Sequence, residues 1–161
     1  MHRDVSPANI LLSRAGEVKL ADFGIAKATM MSDNTWGRLV KGKYAYMSPE
    51  QILGEPLTAR SDQFALGVTL CELLTGERPF DAETPLLTME KIRQGPPPDL
   101  SGAPEAARAL LGRCLSREPA ARYEGAEALR RDISAARAAL PAAAPDIAAY
   151  VCRLAPPPPT S

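Results

Sequence analysis

The stretch His2–Gly24, HRDVSPANILLSRAGEVKLADFG, constrains this chain more than any other part of it. Asp4 is followed five residues on by Asn9, and thirteen beyond that by Asp22. Between the last two lie the short apolar segments Ile10–Leu12 and Val18–Leu20, joined by the polar turn Ser13-Arg14-Ala15-Gly16. That pattern predicts a loop leading into a β-hairpin whose second strand carries Asp22 back beside Asn9. A carboxylate and an amide converging there can hold Mg²⁺ through oxygen ligands, while Asp4 accepts a proton from an incoming hydroxyl.

These residues resemble the signatures of the protein kinase family. His2-Arg3-Asp4 with Asn9 matches its catalytic loop, and Asp22-Phe23-Gly24 its metal-binding motif, in the right order and at the right separation. The resemblance implies Asp4 as the catalytic base and Asn9 and Asp22 as Mg²⁺ ligands. It also implies Asn9, Leu11 and Asp22 as contacts of bound ATP, and His2, Arg3, Phe23 and Gly24 as residues that shape the site. Serine/threonine specificity is favoured because Pro7 is kept and the Ala-Ala-Arg type of loop found in tyrosine kinases is not.

Past Gly24, the polar segment Ile25–Lys41 has neither helical nor strand periodicity and reads as a long loop. By resemblance, Ser48-Pro49-Glu50 closes an activation segment. Thr29, Ser32 and Thr35 are then candidate phosphosites, since Arg3 could pair with an added phosphate; the other reading is ordinary polar loop residues.

Ser61–Gly76, SDQFALGVTLCELLTG, is apolar on nearly every face and predicts a central helix, with Ser61 or Asp62 at its N-cap and Gly76 at its C-cap. The resemblance gives Asp62 a second role as acceptor of catalytic-loop backbone N–H groups. Further helices are predicted at Thr84–Gln94, from Pro104 to Cys114–Leu115, at Tyr123–Leu140 and at Pro145–Leu154. Arg122 reads on its own as a surface residue. The family places it in a buried ion pair with Glu50.

The expected fold class is α+β and mainly α-helical: a kinase-like fold, C-terminal lobe only, with a short hairpin at the catalytic loop. Residues 1–140 form that lobe, and residues 141–161 a tail ending in Pro156–Pro159. No GxGxxG and no VAIK-like strand occurs in the 161 residues. The glycine-rich lid, the phosphate-gripping lysine and its partner glutamate are therefore missing from this stretch, and the chain alone is expected to be inactive. Met1 stands where the family carries Val or Ile, which suggests a valine start codon and coding sequence upstream.

Composition narrows the partners. The 19 basic and 19 acidic residues cancel, giving no electrostatic case for nucleic acid or an anionic membrane. No apolar run is long enough to span a bilayer. Cys71, Cys114 and Cys152 form no CxxC pair, and each sits in a helical apolar pattern, the reading being buried thiols in a cytoplasmic protein. The partners called for are ATP and a protein substrate; the alternative is a pseudokinase or half-domain that works only as a binding module.

Two positions depart from the serine/threonine pattern. Ser6 replaces the lysine two residues after the catalytic aspartate, and Lys43 replaces the threonine that follows Gly42. The expectation is an exchange of roles, with Lys43 supplying an ammonium and Ser6 a hydroxyl from opposite sides of Asp4.

Overall fold

Among the described residues, buried side chains form three clusters, and one helix touches all of them. That helix, α2 (Ala59–Thr75), gives Phe64 and Val68 to the first cluster and Cys71 to the second, and flanks the third with Leu66 and Leu70. The computed structural model describes residues 1–21, 43–140 and 147–155.

In chain order, a 3-10 turn at Pro7–Asn9 leads into strands β1 (Ile10–Leu12) and β2 (Val18–Leu20). The strands pair antiparallel with Leu11 opposite Lys19, at the bounds of the two apolar segments. A second 3-10 turn, Lys43–Tyr46, precedes α1 (Pro49–Leu53) and α2. Then follow α3 (Pro85–Gln94), α4 (Glu105–Cys114), α5 (Ala126–Ala139) and α6 (Ile147–Leu154). No helix among the described residues is long and apolar enough to cross a membrane.

The start of α2 lies two residues earlier than expected. Thr58 is its N-cap: the Thr58 side chain accepts from the backbone of Arg60, while Ser61 Oγ accepts from the backbone of Thr58. Asp62 is thereby released from capping. At the other end Gly76 takes a left-handed φ of 79°, the C-cap geometry that glycine adopts without a Cβ penalty. Close packing against α4 depends on Gly67, where an added Cβ would lie 2.7 Å from the Cys114 Cβ. The helix is not clothed on every face, for Leu73 is 63% exposed.

Two further expectations change. Tyr123 lies outside α5, its backbone bracketed by the Gln63 amide at 3.0 and 3.1 Å and its hydroxyl donating to Asp132 at 2.7 Å. Cys71 and Cys114 are buried, and burial pushes the Cys114 thiol up to about 12, but Cys152 is exposed.

Candidate active site

The loop that carries Asp4 is fixed to the helical body from outside its own sequence. The Asp62 carboxylate, on the first turn of α2, accepts the backbone N–H of His2 at 2.7 Å and that of Arg3 at 2.7 Å. Between these bonds Arg3 holds a φ of 69°, a left-handed conformation that costs a non-glycine residue about 1–3 kcal/mol. The two charge-assisted bonds can offset that cost. Gln51, from α1, adds a bond from its side-chain N–H to the Arg3 carbonyl at 3.4 Å.

Past Arg3 the loop folds on itself. Asn9 Nδ2 donates to the Asp4 carbonyl at 2.7 Å, and Asn9 N donates to the Ser6 carbonyl at 3.0 Å. Asn9 is 4% exposed. With Nδ2 engaged by Asp4, the remaining polar atom of the side chain is the amide oxygen Oδ1, a hard oxygen donor of the kind Mg²⁺ takes. The end of β2 is tied to this loop twice. Ala21 N donates to the Asn9 carbonyl at 2.8 Å, and the His2 ring, at Nε2, meets the Ala21 carbonyl at 3.0 Å. These bonds hold the backbone next to Asp22 against Asn9. Asp22, Phe23, Gly24, Thr29, Ser32 and Thr35 themselves lie outside the described residues.

Lys43 comes to the same place from 39 positions along the chain. Its Nζ lies 2.9 Å from Asp4 Oδ2, with the aspartate side chain 13% and the lysine side chain 30% exposed. Ser6 departs from expectation. It is 2% exposed, and its Oγ has no hydrogen-bond partner among the described residues, so the hydroxyl is not on Asp4. The reason is local: Ser6 sits at the N-cap of the Pro7–Asn9 turn with φ −159° and ψ 160°, and its side chain is enclosed. Leu11, on β1, is 56% exposed, an apolar side chain standing open beside the loop.

Behind the site, Glu50 and Arg122 form a bidentate ion pair at 2.7 and 2.9 Å, with side-chain exposures of 4% and 0%. The remaining guanidinium N–H groups donate to the carbonyls of Ser116, Arg60 and Arg117. Burial pushes the Glu50 carboxyl up, but the bonds from Arg122 and Ser61 outweigh it and hold the group below its ordinary value.

Sequence reasoning overlooked two contributors here. The Ser48-x-x-Gln51 capping box, with Pro49 at N1, signals α1 and places Gln51 near the loop, so this one was readable. The Tyr46 hydroxyl donates to Glu72 of α2, anchoring the turn that carries Lys43. Burial and the Glu72 carboxylate hold that phenol well above its usual range. No local pattern announces a pairing across 26 positions.

Comparison with known proteins agrees with this geometry. The protein kinase domain model matches residues 1–133. Among curated proteins, the tyrosine-protein kinase MasK of Myxococcus xanthus is 46% identical over 132 residues, 80% of this chain and 20% of its own length. The serine/threonine-protein kinase PknA of Mycobacterium tuberculosis is 39% identical over 139 residues, 86% of this chain and 32% of its own. PknB, a serine/threonine-protein kinase of the same organism, is 38% identical over 153 residues, 91% of this chain and 24% of its own. The chain thus spans between a fifth and a third of the length of these relatives. With the kinase domain model matching residues 1–133, the chain belongs to the protein kinase family.

Proposed function

We propose that this chain is the catalytic half of a serine/threonine protein kinase that transfers the γ-phosphate of ATP to protein hydroxyls. The observation that carries the proposal is the joint placement of Asp4 and Asn9 on a loop held in a strained turn by Asp62. Asp4 orients the substrate hydroxyl and takes its proton as the oxygen bonds to the γ-phosphorus and the bond to the bridging oxygen of ADP breaks. Asn9 Oδ1 and the Asp22 carboxylate are the residues that would hold Mg²⁺. When bound, the metal offsets charge on the phosphate oxygens.

Positioning supplies nearly all the catalysis in such a transfer. The 161 residues hold no glycine-rich lid and no VAIK lysine, so they are inactive alone. The activity belongs to a completed domain, for example residues 1–133 joined behind the N-terminal half of the kinase domain of PknA. Buried Cys71 and Cys114 with no disulfide partner agree with a reducing, cytoplasmic setting.

Serine/threonine specificity is supported by Pro7 and by the printed names of PknA and PknB. The printed name of MasK favours a second reading, transfer to tyrosine. Both readings are tested together by incubating the completed domain with labelled ATP and a mixed protein substrate, then hydrolysing the product. Phosphoserine and phosphothreonine, lost in the Asp4→Asn variant, support the proposal. Phosphotyrosine moves the specificity to the second reading. No transfer that depends on Asp4 leaves a pseudokinase, a half-domain acting only in binding.

A further inference from the structure

The family's catalytic lysine is absent from its usual place in this chain, and a lysine from elsewhere stands on the catalytic aspartate. The enclosed Ser6 occupies the usual position and its hydroxyl makes no bond among the described residues. Lys43 meets Asp4 at 2.9 Å from a different segment. Its backbone is not a loose surface loop. Lys43 opens the turn Lys43–Tyr46, in which Ala45 is 1% exposed and Tyr46 is bonded to Glu72 of α2. An exposed pair at this distance is worth little, but this one is largely shielded and joins two anchored segments.

We propose that Lys43 is the positioning lysine of the phosphoryl-transfer site, delivered by the end of the activation segment rather than by the catalytic loop. It fixes the Asp4 carboxylate toward the substrate hydroxyl and brings positive charge to the place where the phosphoryl group passes. The change is a relocation of the cation alone. Ser6 takes no part as a hydroxyl donor, which corrects the reciprocal exchange expected from sequence. Because the cation rides on the Lys43–Tyr46 turn, the site acquires it only when that turn is docked on α2. Activation-segment conformation is thereby coupled directly to Asp4. The inference rests on the reading of Asp4 as the proton acceptor.

The test has two parts. In the completed domain, Lys43→Met is expected to lower kcat by about 100-fold while KM for ATP stays within about threefold, the signature of a loss felt in the transition state. Lys43→Arg, which keeps the charge, should recover at least about tenfold of that loss, as should the family arrangement Ser6→Lys with Lys43→Thr, measured against Lys43→Thr alone. In the 161-residue chain, melting of Asp4→Asn, Lys43→Met and the double variant should be non-additive, the double falling no further than the worse single. A Lys43→Met kcat within about threefold of the unsubstituted domain overturns the proposal, and so do additive melting losses. Absence of Asp4-dependent transfer in the unsubstituted domain overturns the kinase reading instead. The melting cycle then still decides whether Lys43 positions Asp4.

Discussion

The surroundings of Arg122 and the β1–β2 hairpin belong to the same chain, yet one is closed and the other open. Around Arg122 every charge is met: a bidentate carboxylate, three carbonyls, and the Phe64 ring 5.0 Å from the guanidinium carbon. On the hairpin, Leu11, Leu12, Val18 and Leu20 are 56, 44, 54 and 39% exposed. A two-stranded hairpin is marginal by itself, because its apolar face gains little without a covering layer. The surroundings of Arg122 are closed on themselves, whereas the hairpin is held by the bonds that tie its end to the loop before it and, at its turn, by α6, where a Cβ on Gly16 would lie 3.4 Å from the Ala148 backbone nitrogen. Asp4 and Asn9, the residues proposed for catalysis, sit at the seam between the two.

The comparison makes graded demands on stability. Glu50→Ala should have the largest effect, because it leaves a fully enclosed guanidinium without its carboxylate; a loss of about 3–5 kcal/mol is expected in urea or thermal unfolding. The same pair sets a pH dependence. The Glu50 carboxyl lies below its ordinary 4.5 in the folded protein, so its contribution is present above that pH. It is lost as pH falls through the lower, folded value. Acid melting of the Glu50→Ala variant should therefore lack part of the decline seen in the unsubstituted chain below that pH.

Asp62→Ala comes next. It strips two backbone N–H groups of a charged acceptor and frees the strained Arg3, at a cost of about 2–3 kcal/mol. Gly67→Ala should cost about 1–3 kcal/mol, since the new methyl meets backbone-held Cys114 and α2 or α4 must shift. Leu12→Ser, on the open hairpin, should stay within about 0.5 kcal/mol of the parent. A hairpin variant as damaging as Gly67→Ala would erase the distinction between the two regions.

Legibility in the sequence follows the same division. The hairpin was readable to the residue because Ile10–Leu12 and Val18–Leu20 are bounded by polar turn residues and carry their own register. Helix α3 was readable because Thr84 and Pro85 form a local start signal. What depended on distant partners was ambiguous or hidden. Asp62 had a capping role open to it until Thr58 took the cap and the loop amides took the carboxylate. Tyr123 fits a helical pattern, but its backbone is claimed by Gln63, sixty positions earlier. Cys152 sits in an apolar pattern but is exposed among the described residues. Ser6 has the chemistry to reach Asp4, but its place at a turn N-cap encloses it.

Through Asp62, the loop that starts at His2 and Arg3 is part of the helical body rather than of the hairpin it leads into. Amide hydrogen exchange on the 161-residue chain tests this most directly, because it reads each segment's opening separately. The His2 and Arg3 amides, bonded to Asp62, should be protected to nearly the level of the interior amides of α2, while the β1–β2 ladder exchanges far faster. His2 and Arg3 amides that exchange as fast as those of the hairpin would contradict the account.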